Sequence, residues 1–485
     1  MHRMPPDGSD EMERLTLENI RPNVVGLDVC VPLLDGSERR YVNFDNAAST
    51  PVLRPVFDMV NRFTRWYSSV HRGTGLKSLV STTLYDEAHR IVCDFVGADH
   101  EEDVAIFVKN STEALNKLAA RIPFRRDEVV ITTAMEHHSN DLPWRPVAEV
   151  EHVRVDSDGA LDLCHLETLL ERHGENVRLV AVTGASNVTG YVNPIHDIAE
   201  KAHGVGAEIV VDAAQLAPHR PIRMRVGDEA RRIDYVVLSA HKMYAPYGSG
   251  ALVGPRATFG EGDPEQVGGG TVDIVTLDDV EWAGLPEREE AGSPNVLGAV
   301  AMAQAMLCLE EIGMQNLADH ESDLTAYALD KLSSIEGVRV YGITDPRRAG
   351  EKVGVISFSV RGMSHYLVAA ILSCEGGIGV RNGCFCAHPY LLTLIGTTPE
   401  QASAYRDEIK RGIKARIPGL VRASFGCYND KSEVDWFIEM LERIVRGDYE
   451  GEYTQDPSTG EFWPRGFSID HNAWVSYRGY ARAEG

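Results

Sequence analysis

Apolar and polar positions alternate in blocks through the middle of the chain, and these blocks predict strands alternating with helices. Short apolar runs bounded by polar residues or glycine indicate buried strands. They occur at Val104–Val108, Val129–Thr133, Val177–Val182, Glu208–Val211, Tyr235–Leu238 and Gly250–Val253. Helical patterns lie between them, including Ser111–Ile122 and Pro194–His203. This alternation predicts an α/β fold, with a mostly parallel sheet covered by helices.

The pattern changes after about residue 298, where longer helices and fewer strands are predicted. The predicted helices are Ala299–Ile312, Leu317–Ile335, His365–Cys374 and Glu433–Arg446. The predicted strands between them are Val338–Tyr341, Val353–Ser359 and Ile378–Arg381. This mixture is typical of a smaller α+β domain.

Four segments follow from these patterns. Residues 1–40 are an N-terminal segment expected to join the small domain, and residues 41–298 form the large domain. Residues 299–447 form the small domain, and residues 448–485 are a C-terminal extension. The extension is rich in Tyr, Trp and Gly and has no clear period. We therefore expect it to be an extended arm packed on the surface.

Composition narrows the class of protein. The 485 residues suit two domains rather than one. A net charge of −24, from 48 basic and 72 acidic residues, disfavours nucleic acid and acidic membranes as partners. No apolar run is long enough to span a bilayer, and the polar, acidic start of the chain lacks the apolar core of a secretory signal. Eight scattered cysteines do not form a disulfide scaffold. We expect a cytoplasmic enzyme.

Polar residues follow five of the predicted strands. In sheets of this kind ligands bind beyond the carboxyl ends of the strands. The residues at those ends are Ser111–Glu113, Glu136–His138, Ser186–Asn187, Asp212 with Gln215, and Ser239 with His241 and Lys242. One polar strand end means little, but five that converge predict a site.

Lys242 and Asp212 give this site a specific chemistry. Each follows an apolar strand, and a lysine and an aspartate placed in this way are what pyridoxal phosphate (PLP) requires. The lysine binds the cofactor aldehyde as a Schiff base, and the aspartate keeps the pyridine nitrogen protonated so that the ring accepts electrons. Either residue alone could simply be solvated. Both together, with Ser239, His241 and Gln215 nearby, disfavour that interpretation.

An anion site is predicted where Ser111 and Thr112 open a helix. Free backbone N–H groups and the helix dipole favour phosphate at such a position, and the Thr112 hydroxyl adds a donor. A Ser or Thr here could also serve as an N-cap. The two roles are compatible, so both remain open.

Eleven motifs in one order resemble the class V aminotransferase group of fold-type I PLP enzymes, and within it the SUF-type cysteine desulfurase and selenocysteine lyase family. They are Phe44–Ser49, Val70–Gly73, Thr112–Asn116, Met135–Asn140, Ser186–Gly190, Asp212–Gln215, Ser239–Lys242, Gly268–Gly270, Ala291–Asn295, Val380–Ala387 and Val421–Ser424. The resemblance implies a large domain with a seven-stranded, mostly parallel sheet and a smaller C-terminal α+β domain.

The resemblance also implies the residues that bind the cofactor. It implies that Lys242 forms the Schiff base and moves the proton at the substrate Cα, while Asp212 pairs with the pyridine nitrogen. It implies that Gln215 bonds the ring oxygen and that His137 stacks on the ring and helps to move protons. The remaining implied cofactor residues are Thr112, Asn187, Ser239, His241 and, from a partner subunit, Ser293.

The substrate side of the site is implied in the same way. Asn187 and Arg422 would hold the substrate carboxylate, which a guanidinium can bind with two parallel hydrogen bonds. Arg381, together with Arg72 of the partner subunit, would line the entrance. Because Ser293 and Arg72 match positions that the family borrows across an interface, the resemblance implies a homodimer.

Cys386 matches the nucleophilic cysteine of the family. Its thiolate would attack the sulfur of L-cysteine, leaving L-alanine and a persulfide on the enzyme, and an acceptor protein could then take the sulfur. Cys384 departs from the family pattern, in which histidine is common. A metal site formed by Cys384, Cys386 and His388 is an alternative, although no fourth ligand is evident nearby.

Three functions stay open at this point. The first is a cysteine desulfurase that needs Cys386. The second is another class V PLP enzyme, such as a C–S β-lyase, a selenocysteine lyase or a biosynthetic enzyme for a modified amino acid, which would tolerate loss of Cys386. The third is a non-catalytic binding protein, which the intact Lys242, Asp212 and His137 disfavour.

Overall fold

The first described residues form a small hairpin, a short strand and two helices. The computed structural model describes residues 14–156 and 158–477, so the first 13 residues of the predicted N-terminal segment lie outside it. The elements are β1 (Cys30–Pro32), β2 (Glu38–Arg40), β3 (Val42–Asn43), α1 (Arg54–Thr64) and α2 (Leu76–Val96). Arg21 forms ion pairs with Asp430 and Glu433, whereas Ile20 packs into the core of the central sheet. The segment therefore contacts both the small domain, through Arg21, and the core of the central sheet, through Ile20.

A seven-stranded sheet forms the centre of the large domain. The elements of this region are β4 (Asp103–Val108), α3 (Ser111–Arg121), β5 (Val129–Thr133), β6 (Glu149–Val153), α4 (Leu163–His173), β7 (Val177–Thr183), α5 (Ile195–His203), β8 (Glu208–Asp212), β9 (Tyr235–Ser239), β10 (Gly250–Pro255), α6 (Arg256–Gly260), β11 (Val272–Val275) and β12 (Val280–Trp282). The strand order is β4-β10-β9-β8-β7-β5-β6. Only β10 runs antiparallel to its neighbours in this sheet. The prediction of a mostly parallel sheet is confirmed.

Helices cover both faces of this sheet, which explains the continuous apolar runs of its strands. In β9, Val236 and Leu238 belong to the core cluster that also contains residues of α4 and α5, whereas Tyr235 and Val237 belong to the cluster that contains residues of α3. Strands buried on both faces lack polar alternation. The predicted strands were therefore placed within two residues of their observed ends. Edge strand β6 was not predicted because its polar, partly exposed residues lack this signal.

The small domain packs helices against a four-stranded antiparallel sheet. Its elements are α7 (Val296–Ile312), α8 (Met314–Ser333), β13 (Val338–Tyr341), β14 (Val355–Val360), α9 (His365–Gly376), β15 (Ile378–Gly379), β16 (Arg381–Gly383), α10 (His388–Leu394), α11 (Pro399–Lys410), β17 (Leu420–Ser424) and α12 (Lys431–Arg446). The sheet order is β13-β14-β17-β16. The predicted single strand Ile378–Arg381 is wrong, because β15 pairs with β3 while β16 pairs with β17.

Helix α7 differs from the others because nearly all of its surface is apolar and buried. It packs against α1 and α2, and α8 then leaves at an angle of 75°. Gly313 permits this bend with a φ of +93°. Within residues 14–156 and 158–477, no single helix is long and apolar enough to cross a membrane; α7 and α8 meet that criterion only when the bent pair is counted together.

The C-terminal extension begins with a hairpin rather than a featureless arm. Strands β18 (Tyr453–Gln455) and β19 (Phe462–Pro464) pair antiparallel, and β19 packs against α9. The backbone N–H of Lys414 donates to the carbonyl of Pro457, so the hairpin also contacts the loop before β17. Residues 478–485 of the predicted extension lie outside the described residues.

Candidate active site

A cavity of about 280 Å³ lies at the carboxyl ends of the central strands. Lys242 reaches it from the 3₁₀ turn after β9, and Asp212 reaches it from the last position of the parallel neighbour β8. Eleven of the thirteen predicted site residues line this cavity: Thr112, His137, Asn187, Asp212, Gln215, Ser239, His241, Lys242, Arg381, Cys386 and Arg422. The predicted convergence of strand ends therefore occurs in the folded chain.

The amine of Lys242 is prepared to react with a carbonyl group. Its Nζ donates to Oε1 of Gln215 at 3.1 Å. Burial lowers the pKa of Lys242 to about 8, although Asp212 partly opposes this effect. A larger share of the amine is therefore neutral near pH 7 than in an exposed lysine, and the neutral amine is the nucleophile.

Two further groups suit the pyridine ring of PLP. The Nε2 atom of Gln215 is buried without a hydrogen-bond partner, so it can donate to a ring oxygen. Asp212 is 4% exposed, and its Oδ1 accepts from the backbone N–H of Ala214 at 3.0 Å. Burial raises the pKa of Asp212, and the nearby charge of Lys242 opposes this rise. A cationic pyridine nitrogen would compensate the buried carboxylate, so the residues present fit this cofactor.

The N-terminus of α3 forms another part of the cavity wall. Its N-cap is Asn110, whose side chain accepts from the N–H of Glu113 at 3.1 Å, so the alternative of a Ser111 or Thr112 cap is wrong. The hydroxyl of Ser239 accepts from the N–H of Ser111 at 2.9 Å, which fixes the start of the helix beside β9. The Thr112 hydroxyl lies 2.7 Å from that of Ser139. The helix thus presents its first turn to the cavity, as phosphate binding requires.

His137 lies in the cavity as a neutral imidazole. The backbone N–H of Ser139 donates to its Nδ1 at 3.1 Å, and burial, followed by the charge of Lys242, lowers the pKa of His137 to about 4. Burial and Lys242 likewise lower the pKa of His241 to about 4. With this lowered pKa, His137 stays neutral near pH 7.

Cys386 lies on a strained turn that is tied to the large domain. Phe385 and Cys386 both adopt left-handed backbone conformations, with φ of 53° and 56°. Such conformations persist when neighbouring contacts enforce them. The N–H of His138 donates to the carbonyl of Cys386 at 2.8 Å, and Nδ2 of Asn187 donates to that of Phe385 at 2.6 Å. These bonds hold the exposed Cys386 thiol at the cavity.

Arg422 is the buried cation of this site and is only 2% exposed. Its Nη1 donates to the carbonyl of Asn187 at 2.9 Å, and its Nη2 donates to Oδ1 of Asp45 at 3.0 Å. The guanidinium lies 4.9 Å from the ring centre of Phe385. Burial lowers the pKa of Arg422 to about 10, and Asp45 opposes that shift. Arg422 is therefore a buried, fixed cation rather than half of a surface ion pair.

Within the described part of the chain, Cys384, Cys386 and His388 do not form the alternative metal site. Cys384 is buried, and its thiol lies 3.1 Å from the carbonyl of Pro418. His388 stacks on His138, with Nδ1 and Nε2 3.1 Å apart. Among residues 14–156 and 158–477, no three His, Cys, Asp or Glu side chains are close enough to hold a metal ion.

Ser293 and Arg72 do not reach the Lys242 cavity of their own chain. They line a second cavity, of about 690 Å³, together with Tyr67 and Gly270. Nη2 of Arg72 donates to the carbonyl of Val272 at 2.8 Å. Two of the thirteen predicted residues are therefore separate from the other eleven in one chain.

Three residues of this site received no role in the sequence analysis. Ser139 bonds both Thr112 and His137, Asp45 bonds Arg422, and Phe385 packs on the same guanidinium. Each lies inside or beside a motif that carried the resemblance, so its position was visible. The contacts of these residues could not be predicted from the motifs, because most of them join positions that lie far apart in the sequence.

Comparison with known proteins places this geometry in a family. The model of the class-V aminotransferase family matches residues 42–437. A cysteine desulfurase of Haloferax volcanii is 33% identical over 430 residues, which cover 86% of this chain and 93% of that protein. The structure of a cysteine desulfurase from Thermococcus onnurineus is 32% identical, covers 89% of this chain and 98% of its own, and superposes with a TM-score of 0.76. For the Escherichia coli cysteine desulfurase CsdA, in an S-sulfonic acid form, the identity is 26%, the coverage is 89% and 98%, and the TM-score is 0.72.

Proposed function

The chain belongs to the class-V aminotransferase family, and we propose that it is a PLP-dependent cysteine desulfurase that converts L-cysteine to L-alanine. The observation that carries the proposal is the presence of Cys386, Lys242 and Arg422 in one cavity. A thiol nucleophile, an amine of lowered pKa and a carboxylate-binding cation are the groups that this reaction needs. Relatives that cover most of the chain carry the same activity in their names.

PLP, when bound, would supply a carbonyl carbon that can bond to the amine of Lys242 or of the substrate. It would also supply a ring that accepts the electron pair from the substrate Cα. Gln215, Asp212 and the first turn of α3 are the groups that would hold its ring oxygen, ring nitrogen and phosphate. Lys242 then serves as the base that takes the Cα proton, for which its pKa of about 8 is suited. Neutral His137 lines the same cavity and, because its pKa is lowered, would readily give up any proton that it receives.

Substrate binding depends on the arginine side of the cavity. The carboxylate of L-cysteine would lie against Arg422 and Arg381, with the Asn187 side chain beside them. Because Arg422 is buried and fixed by Asn187 and Asp45, its charge can orient a carboxylate with little loss of side-chain entropy. This fixes the direction in which the substrate sulfur points.

Cys386 is the residue that would accept the substrate sulfur. Its thiolate attacks the substrate sulfur, so that an S–S bond forms while the Cβ–S bond breaks. The electron pair of the broken bond remains on the carbon side, where a proton completes L-alanine, and the enzyme retains the sulfur as a persulfide. The exposure of Cys386 suits a later transfer of that sulfur to an acceptor protein.

The proposal includes a homodimer in the cytoplasm. Arg72 and Ser293 would enter the cavity of the partner subunit, since they line a separate cavity of their own chain. A reducing compartment keeps a free thiol such as Cys386 available.

The test compares wild type, Cys386→Ala and Cys384→Ala as PLP-loaded proteins. We expect wild type and Cys384→Ala to release L-alanine from L-cysteine and Cys386→Ala to release none. A persulfide-specific alkylation followed by mass spectrometry should label Cys386. Equal product from Cys386→Ala, or pyruvate in place of alanine, would instead indicate the lyase alternative.

A further inference from the structure

Asp45 joins the two arginines that line the substrate side of the cavity. Its Oδ1 accepts from Nη2 of Arg422 at 3.0 Å, and its Oδ2 lies 3.7 Å from Nε of Arg381. Each oxygen of one carboxylate thus faces a different guanidinium. This residue follows β3, whereas the arginines belong to β16 and β17, so the contact joins the N-terminal part of the chain to the small domain.

Asp45 contacts both arginines without itself lining the cavity. Arg381 and Arg422 line the cavity wall, whereas Asp45 does not. A carboxylate that does not line the cavity leaves the cavity-facing part of each guanidinium available. Among the described residues, nothing accepts a hydrogen bond from the buried Nε of Arg422, so one donor of this cation is not committed to the protein. A guanidinium has five N–H donors, and two of its nitrogens are already committed to Asn187 and Asp45.

The energetic need for Asp45 follows from burial. A buried guanidinium without a counter-ion is costly. Arg381 also lies near Arg422, and like charges repel. The single carboxylate of Asp45 offsets both costs, because it offers one oxygen to each cation. Removal of its charge would leave two cations facing each other with fewer constraints on their direction.

We propose that Asp45 is a positioning residue that holds Arg381 and Arg422 in the orientation that binds the substrate carboxylate. The inference rests on the proposed function for the identity of the substrate, but it concerns any amino acid whose carboxylate enters this cavity. Asp45 acts through the arginines and does not contact the substrate. Its effect is therefore confined to ligands that carry a carboxylate.

The test compares Asp45→Asn with wild type in the PLP-loaded protein. Asparagine keeps the shape and one acceptor but loses the charge. We expect the KM for L-cysteine to rise on the order of tenfold while kcat changes less than about twofold, since the contact affects binding more than chemistry. Asp45→Glu restores the charge and should recover part of the loss. Asp58→Asn, an exposed carboxylate on α1, is the matched control and should leave both constants unchanged.

A binding measurement separates this role from a structural one. L-alanine and ethylamine differ by the carboxylate, and their binding to PLP-loaded protein can be followed by the visible absorbance of the cofactor. We expect Asp45→Asn to weaken L-alanine alone. If both ligands weaken equally and the melting temperature falls with them, Asp45 supports only the fold. If L-alanine binds more tightly, Asp45 competes with the substrate. Either result overturns the proposal.

The proposed function can fail independently of this inference. If wild type releases no alanine from L-cysteine, the desulfurase assignment is wrong. The comparison of L-alanine with ethylamine still tests Asp45, because it requires only that amino acids bind near the cofactor.

Discussion

Lys352 is a lysine whose amine is buried between the two domains, and its replacement by methionine should stabilise the protein. The residue has no exposed surface, and its Nζ has no hydrogen-bond partner within residues 14–156 and 158–477. Glu321 is close enough to raise its pKa, but His219 and Arg220 already pair with that carboxylate at 2.7 Å each. Methionine retains the apolar stem and removes the charge.

The magnitude follows from the pKa. Burial lowers the pKa of Lys352 from 10.5 to about 7, and Glu321 only partly opposes this effect. Each pH unit of difference between the folded and unfolded states corresponds to about 1.4 kcal/mol, so the buried lysine costs about 5 kcal/mol below pH 7. Above pH 7 the folded amine is neutral while the unfolded amine still binds a proton. Stability therefore rises with pH until the unfolded lysine also loses its proton near 10.5.

The assay is denaturant unfolding of wild type and Lys352→Met between pH 6 and pH 9.5. We expect the variant to be more stable by up to about 5 kcal/mol at pH 6, with the advantage falling to about 1 kcal/mol at pH 9.5. Lys410→Met, at an exposed position of α11, is the control and should show neither effect. A variant that is destabilised by the same amount at every pH would show that the amine is held by a partner, and the reasoning would be refuted.

Two further predictions concern the active site. Lys242→Ala should abolish alanine release, and borohydride treatment of the PLP-loaded variant should no longer increase its mass. Lys77→Ala, at an exposed position of α2, is the control and should retain both properties. A mass increase that persists in Lys242→Ala would show that a different lysine binds the cofactor. The Arg72→Ala and Cys386→Ala proteins should each be inactive. When the two are unfolded and refolded together, half of the subunits should pair as heterodimers, and each heterodimer has one intact site. The mixture should therefore regain about a quarter of wild-type activity. No recovery in the mixture, with dimers present by light scattering, would place Arg72 in the active site of its own chain or outside both sites.

Local sequence signals accounted for the elements that hold the site. Strands β8 and β9 were predicted because both of their faces are buried, which removes polar residues from the run itself. Asp212 and Lys242 follow those strands, so the neighbouring positions of the strands bring them to one edge of the sheet. Eleven predicted residues share a cavity for this reason.

Other features depend on contacts that no local pattern encodes. The stretch from Ile378 to Arg381 reads as one strand, yet its two halves pair with different partners. The left-handed backbone of Phe385 and Cys386 is unfavourable for residues with side chains, and bonds from Asn187 and His138 enforce it. The groups that donate these bonds, the Asn187 side chain and the His138 backbone N–H, lie far from Cys386 in the sequence.

The sequence by itself determined the chemistry of this protein, because the residues that perform it follow apolar strands whose burial can be read locally. Only the tertiary structure decided which charges meet. Asp45 lies 377 positions from Arg422, and no period or motif relates them. Their contact exists because β3 pairs with β15, and Phe44 packs in the same core cluster as β17, which brings Asp45 to Arg422. A buried guanidinium then requires a carboxylate beside it.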